Sequence, residues 1–177
     1  VDIILTPIVT IMAGSIAGII VGPPLSAGMN WLGQAISVAT ELQPLLMGIV
    51  ISVVMGMALT LPISSAALSI ILGLSGLPAG AATIGCSTQM VGFAVASFRE
   101  NKWDGLIAQG VGTSMLQVPN IVRNPLIWIP PTLASAILGP LGTVVFKMQN
   151  NPAGGGMGTS GLVGQIMTWQ TMSGTVS

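Results

Sequence analysis

The sequence predicts an all-α protein: a polytopic integral membrane helix bundle with broken or re-entrant helices. Charged residues make up only 5% of the chain and hydrophobic residues 51%, with a mean hydropathy of +0.90, whereas a soluble domain carries about 25% charged residues. Residues 3–40 and 42–98 contain no charged side chain, and about 20 apolar residues are enough to cross the hydrocarbon core. We therefore expect lipid, rather than water, to surround most of the chain.

The composition also limits the chemistry that the chain could perform. It has no histidine, which excludes a Ser-His-Asp triad and a Cys-His pair. Its only cysteine, Cys86, excludes an intrachain disulfide and a cysteine-based metal cluster. The equal numbers of basic and acidic residues give no indication of nucleic-acid binding. We expect no catalytic residue, no metal and no cofactor in this chain.

The first forty residues predict two helices. Residues 3–21 form an uncharged stretch of membrane length, and the Gly-Pro-Pro sequence at residues 22–24 is expected to end it. Residues 25–40 are less apolar and repeat hydrophobic side chains at helical spacing. This pattern fits either an amphipathic helix at the membrane interface or a helix that faces a polar interior.

Residues 45–61 predict a second spanning helix, with Pro44 and Pro62 at its ends. Small residues recur every four positions in both spanning segments, at positions 14, 18 and 22 and at positions 48, 52, 56 and 60. Such ridges let helix backbones approach closely. We therefore expect a tightly packed bundle.

The next segment is too short for a full crossing. Residues 64–76 predict a re-entrant segment, or half of a broken helix with Pro78 at the break. Residues 79–98 then predict a further span. The charged residues 99–104 predict an aqueous loop, and the two basic residues within it favour the cytoplasmic side by the positive-inside rule.

The rest of the chain mixes irregular backbone with one more span. Residues 106–119 are too polar for a lipid-facing helix, and the prolines and asparagines of residues 117–125 are expected to leave backbone groups that must line water or protein. Residues 126–146 predict the last good span. The glycine-rich residues 150–161 cannot form a regular helix, and helical spacing resumes at residues 162–169.

Polar side chains between apolar stretches are the first candidate site residues, because lipid makes such groups costly. Glu41 and Gln43 lie between two apolar segments, where the glutamate is either an interfacial cap or part of a polar cavity. Arg123, with Asn120 and Asn124 close by, offers several donors for hydroxyl, carboxylate or phosphate groups. The alternative for the arginine is an anchor at the membrane edge.

The glycine-rich tail supplies a second group of candidates, which are Asn150, Asn151, Thr159 and Ser160. Their side chains, together with the irregular backbone of the tail, could coordinate a polyhydroxylated solute, as broken helices do in transporters. A mobile loop outside the membrane is the alternative for the same segment.

Several segments have the length and specificity of family motifs. They are ELQPLLMG at residues 41–48, ALTLPISSAA at 58–67, QMVGFA at 89–94, PNIV at 119–122, WIPPTLAS at 128–135 and GGGMGTSGLVGQ at 154–165. These motifs resemble the EIIC-like permease family of the bacterial phosphotransferase system, in the branch that includes perfringolysin-O regulator-like proteins. The resemblance extends over nearly the whole chain.

The resemblance implies that residues 1–177 are part of a single EIIC-like transmembrane domain, with both ends expected to lie beyond this sequence. It implies a subunit of a phosphoenolpyruvate-dependent system that binds and translocates a sugar or a related polar solute. The implied partners are the EIIA and EIIB subunits, which carry the phosphoryl group, a second copy of the chain in a homodimer, and the lipid bilayer. The implied location is the bacterial inner (plasma) membrane, with several crossings.

The chain departs from well-studied EIIC sites in one respect. Those sites pair a glutamate with a histidine, and this sequence has no histidine. The alternative function is therefore a membrane-bound regulator or sensor of the perfringolysin-O regulator type, without transport activity.

Overall fold

Every regular element in the described part of the chain is helical, which confirms the all-α prediction. The computed structural model describes the backbone of residues 2–174 and the side chains of residues 9–174, except positions 13, 17, 18, 20–22, 25, 26, 29, 30 and 32. The α-helices are α1 (Asp2–Leu42), α2 (Pro44–Thr60), α3 (Ser65–Ile71), α4 (Leu77–Ala96), α5 (Phe98–Ile107), α6 (Val118–Arg123), α7 (Ile129–Pro140), α8 (Pro152–Gly155) and α9 (Val163–Met172). Short π-helices cover Ala108–Gly112 and Leu141–Val145, and 3-10 helices cover Ser114–Gln117, Pro125–Trp128 and Ser160–Leu162.

Helices α2, α4 and α7 pack together as the centre of the bundle. Glycines allow this, because a Cβ atom at Gly85 would collide with the backbone of Ser52 and one at Gly139 would collide with the backbone of Gly48. Hydroxyl groups then bridge the helices: Ser52 Oγ donates to the Ser135 carbonyl at 2.8 Å. The close packing expected from the small residues of α2 is therefore present.

The three central helices define two ends of the bundle. Gln89 donates to Thr132 and Ser135 donates to the Gly85 carbonyl, so α7 runs antiparallel to α4. Thr143 Oγ1, in the π-turn that follows α7, donates to the carbonyl of Pro44 at 2.7 Å. We call this the Pro44 end, and we call the opposite end, where α4 stops and α7 begins, the Ser97 end.

In the part of the chain that the structure describes, two helical segments are long and apolar enough to cross a membrane: Leu77–Ala96 and Pro125–Val145. Pro44–Thr60 is a shorter apolar helix. In the most apolar part of Leu77–Ala96, 67% of the residues are buried, compared with 28% in Pro125–Val145. Helix α4 is therefore the more deeply buried of the two segments and lies at the centre of the bundle.

The predicted end of the first helix at residues 22–24 is wrong. Helix α1 continues through Pro23 and Pro24 to Leu42, so the predicted separate helix at residues 25–40 is its second half. Both prolines are exposed, and the helix continues through them although neither supplies an amide donor. A Cβ atom added at Gly14 would meet no neighbouring element within 4 Å, and the side-chain surroundings of positions 18 and 22 lie outside the described residues.

The predicted break before α4 is confirmed. Helix α3 has only 7 residues, and Pro78 lies in the first turn of α4, where its missing amide donor costs nothing. Gly76 between them has a φ of 65°, a conformation that favours glycine. Its backbone pairs with that of Asn150 through two hydrogen bonds, of 2.9 and 3.2 Å. The start of the glycine-rich tail therefore contacts the break between α3 and α4.

The charged segment is helical, contrary to the predicted loop at residues 99–104. It forms α5, which is kinked at Lys102, where φ is 50°. The prediction failed because a run of charged residues predicts that the side chains are exposed, but not whether the backbone is helical. The charged side chains of α5 are exposed. Residues 117–125 are also more regular than predicted, since Pro119 and Pro125 each occupy the first turn of a short helix.

Candidate functional site

A chain of hydrogen-bonded polar side chains lies at the Ser97 end. Asn120 Nδ2 donates to Gln117 Oε1, Gln117 Nε2 donates to Gln109 Oε1, and Gln109 Nε2 donates to Ser97 Oγ, each at 2.9 Å. The two glutamines are 3% and 5% exposed, although neither carries an apolar side chain. All donors point the same way along the chain, an arrangement in which hydrogen bonds polarise one another.

Irregular backbone brings these side chains together. After the π-helix Ala108–Gly112, Thr113 is fully extended and its hydroxyl accepts from the Met115 amide at 3.1 Å. The chain therefore reverses within a few residues and places Gln117 beside Gln109. Ser114, which is fully buried, fixes the reversal to the end of α2 through a 3.1 Å contact with the Thr60 hydroxyl.

The amide chain keeps spare hydrogen-bonding capacity. Each amide nitrogen carries two hydrogens, and only one from each is used in the bonds described above. Asn120 Oδ1 accepts no hydrogen bond from the residues that the structure describes. Asn120 is also exposed, so an unused acceptor and unused donors are available at the surface of the bundle.

Two adjoining cavities open beside this chain. One has a volume of about 380 Å³ and is lined by Phe93, Ala96, Ser97, Glu100, Asn101, Gln117, Asn120 and Ile127. The other has a volume of about 620 Å³ and is lined by Glu100, Asn101, Asp104, Gly105, Ala108, Gln109, Leu116, Gln117 and Asn120. We call the two cavities together the amide cleft. Each falls within the roughly 300–1,000 Å³ of small-molecule sites.

The charges of the amide cleft are negative. Glu100 and Asp104 line it, and within the described residues neither carboxylate forms an ion pair with a lysine or an arginine. Carboxylates only accept hydrogen bonds, as does Asn120 Oδ1. The cleft therefore suits a molecule that presents several donors, such as hydroxyl groups, and whose oxygens can accept from the spare amide hydrogens.

One of the site residues predicted from the sequence, Asn120, belongs to the amide cleft. Arg123 lies in the last turn of the same helix, α6, and Asn124 follows it. Both are exposed. The Asn124 side chain accepts from the Leu126 amide at 3.3 Å and so caps the next helical turn.

Glu41 and Gln43 lie at the Pro44 end, far along the bundle from the amide cleft. Both are exposed, and they occupy the junction between α1 and α2. Gln43 is the N-cap residue of α2, but its side chain makes no capping hydrogen bond. The structure does not bring these two residues together with Asn120.

The tail residues form a third group. Asn151 Oδ1 accepts from the Gly154 amide at 2.8 Å and caps α8, while Thr159 Oγ1 lies 3.4 Å from the sulfur of Met90. Ser160 is half-buried at the start of a 3-10 turn. The tail is packed against α3 and α4, where a Cβ atom at Gly156 would collide with the Ser65 carbonyl. Its glycines therefore serve close packing.

Sequence reasoning missed Ser97, Glu100, Asn101, Gln109 and Gln117 as site residues. The sequence alone indicates that Glu100 and Asp104 belong to a solvated loop, and that the glutamines argue only against a lipid-facing helix. A usable signal was present: Gln109, Gln117 and Asn120 are amides in a segment of otherwise small or apolar residues, and buried amides need partners. Their side chains meet only because of the reversal at Thr113, which no spacing rule predicts.

Comparison with known proteins agrees with the resemblance of the motifs. The family model for the EIIC component of the phosphotransferase system matches residues 1–177, which is the whole chain. No curated protein and no solved structure matches the sequence at a significant level. Members of the EIIC family are integral membrane proteins in general, which accounts for the low charge and the long apolar helices. The chain belongs to the EIIC family of the phosphotransferase system.

Proposed function

We propose that this chain is the membrane-embedded permease part of a bacterial phosphotransferase system and that it binds its sugar in the amide cleft. The observation that carries the proposal is the buried chain of amides ending at Asn120, beside a cleft with unpaired carboxylates. The match of the whole chain to the EIIC family supports a role in sugar transport. In this proposal the bundle crosses the plasma membrane several times, as one domain and as a homodimer.

The residues of the cleft would recognise a sugar by complementary hydrogen bonds. Sugar hydroxyls would donate to the carboxylates of Glu100 and Asp104 and to Asn120 Oδ1, while sugar oxygens would accept from the spare hydrogens of Gln117 and Asn120. A hydrogen bond to a charged group contributes about 1.5–3 kcal/mol and a neutral one about 0.5–1.5 kcal/mol. The cleft needs acceptors as well as donors, because a sugar hydroxyl both donates and accepts hydrogen bonds.

The chemistry of phosphorylation would belong to the partner subunits. This chain has no histidine, and Cys86 is buried in the centre of the bundle, so we assign it no phosphorylated residue. EIIB, charged by EIIA, would deliver the phosphoryl group to the sugar held in the cleft. The permease itself would bind the sugar, orient it and move it across the membrane.

A solute role stays a prediction for the other candidates from the sequence: Glu41, Gln43, Arg123, Asn124, Asn151, Thr159 and Ser160. Arg123 and Asn124 are the most favoured of them, because they follow Asn120 within a few residues on α6 and its cap. A role for Glu41 and Gln43 would require the solute to move between the Pro44 end and the amide cleft.

Uptake by the reconstituted full-length protein tests the proposal. Proteoliposomes with the EIIA and EIIB partners should take up one member of a panel of radiolabelled sugars. Gln117→Leu should reduce uptake about tenfold, the equivalent of about 1.4 kcal/mol, because it removes the middle link of the amide chain. Gln165→Leu is the matched control, since that exposed glutamine makes only a 3.2 Å contact with Ser87.

Two results would contradict the proposal. Equal uptake by wild type and Gln117→Leu, with both proteins folded by thermal unfolding in detergent, would exclude the amide cleft as the sugar site. Sugar binding without uptake, with and without the partners, would favour the alternative: a membrane-bound regulator or sensor that detects the solute and does not transport it.

A further inference from the structure

The basic residues of the chain are unevenly distributed between the two ends of the bundle. The sequence contains four lysines and arginines, and all of them lie in the described part of the structure. Arg99 and Lys102 are on α5, directly after the end of α4, and Arg123 ends α6. Lys147 follows the π-turn after α7, at the Pro44 end.

Hydrogen bonds fix α5 and α6 at the same end. The chain of amides runs from Ser97, at the end of α4, through Gln109 and Gln117 to Asn120 on α6. Arg123 is one helical turn further along α6. Three of the four basic residues therefore lie at the Ser97 end, on the two helices that carry residues of the amide cleft, and all three are exposed.

This distribution determines an orientation if the bundle spans a membrane. Lysine and arginine near the ends of spanning helices favour the cytoplasmic side, whereas aspartate and glutamate contribute little. The cytoplasmic leaflet is also rich in anionic lipids, which attract a nearby basic residue by about 1 kcal/mol. The acidic residues Glu100 and Asp104 on α5 therefore do not cancel the effect of Arg99 and Lys102 on the orientation.

An aromatic pair marks the same boundary. Trp103, next to Lys102, is 68% exposed although its indole ring is large and apolar. Its ring meets that of Phe98 edge to face, with centroids 5.6 Å apart. Tryptophan is enriched where the hydrocarbon core meets the headgroups, so α5 has the composition of a segment that lies at the headgroup level.

We infer that the Ser97 end faces the cytoplasm, with Arg99, Lys102 and Arg123 against the anionic headgroups of the inner leaflet. The amide cleft then opens towards the side on which a cytoplasmic phosphoryl donor acts, and Glu41 and Gln43 face the outside. The inference rests on the proposed function only in requiring that the bundle spans the membrane. It does not depend on the identity of the sugar.

Cysteine labelling tests the orientation sharply, because the only native cysteine, Cys86, is fully buried. In a Cys86→Ala background, Asn101→Cys reports the Ser97 end and Gln43→Cys reports the Pro44 end; both positions are exposed. A charged maleimide cannot cross the bilayer, so labelling of Asn101→Cys should be about tenfold stronger in inside-out vesicles than in intact cells. Gln43→Cys should show the reverse preference.

Limited trypsin digestion of the wild-type protein provides a second measurement that needs no variant. Of the four basic residues in this sequence, inside-out vesicles should be cut after Arg99, Lys102 or Arg123, and spheroplasts should be cut after Lys147. The opposite pattern in both measurements would overturn the orientation while leaving the permease proposal intact. Labelling of both cysteines from both sides would contradict a membrane-spanning bundle, and with it both proposals.

Discussion

At the scale of single residues, the amide chain is costly to build and therefore informative. A buried amide that lacks a partner destabilises the fold by about 1–3 kcal/mol, yet this bundle buries two glutamines in succession. Gln117 donates to Gln109, and Ser97 and Asn120 complete the chain at its ends. Apolar side chains would fill the same space without the free-energy cost of burying amide groups. A binding role therefore explains the amides better than packing does.

The two exposed glutamates allow a matched comparison of the cleft with the opposite end of the bundle. Glu100→Gln preserves the shape of the side chain and removes its charge, so sugar affinity should fall about tenfold, the difference between a charged and a neutral hydrogen bond. If the amide cleft is the sugar site, Glu41→Gln should leave affinity unchanged, because Glu41 lies at the junction of α1 and α2, away from the cleft. Equilibrium binding of the transported sugar in detergent measures both.

The reverse result would be equally clear. If Glu41→Gln weakened sugar binding and Glu100→Gln did not, the site would lie at the Pro44 end, where the sequence first placed Glu41 and Gln43.

At the scale of elements, the sequence predicts the helices well and their surroundings less well. The helix at residues 44–60 and the break before Pro78 are confirmed, and the tail is not one regular helix but short turns around the four-residue α8. These predictions succeed because proline and glycine act locally on the backbone. The end of α1 was predicted too early, since an exposed Pro-Pro pair does not by itself turn a helix. The site was largely missed because its residues come together through a reversal of the chain, which depends on tertiary contacts.

Glycines at helix crossings make a prediction at this scale. Gly85→Ala should lower the free energy of unfolding by about 1–3 kcal/mol, because the new methyl group would collide with the backbone of Ser52 and push α2 away from α4. Gly14→Ala should be neutral or stabilising by up to about 1 kcal/mol, because a Cβ atom added there would meet no neighbouring element within 4 Å.

Thermal unfolding of the two variants in the same detergent gives the comparison. Equal stability of Gly85→Ala and wild type would mean that α2 and α4 are further apart than the structure places them.

At the scale of the whole molecule, the described surface is unusually apolar for a protein in water. Many large hydrophobic side chains are exposed, on α1, α2 and α7 in particular; examples are Ile19, Val54 and Ile137, each more than half exposed. Apolar patches of this extent mark surfaces that contact lipid or other protein. The low charge of the sequence and the EIIC family membership lead to the same expectation.

Sedimentation checks this expectation directly. The full-length product should pellet with the membrane fraction on ultracentrifugation and return to solution only with detergent, because lipid is needed to cover its apolar surface. A folded monomer that remained in the supernatant without detergent would contradict the membrane-spanning bundle.

The pairing of Gly76 with Asn150 has a mechanical consequence. Two backbone hydrogen bonds join these residues, and the Asn150 side chain, only 1% exposed, also donates to the Thr83 hydroxyl and to the Gly164 carbonyl. These bonds join the start of α4 to Asn150, the first residue of the tail, and through it to Gly164 in the first turn of α9. Moving the tail would therefore require either breaking these bonds or moving the first two turns of α4 with it, so we expect these parts to move as one rigid unit.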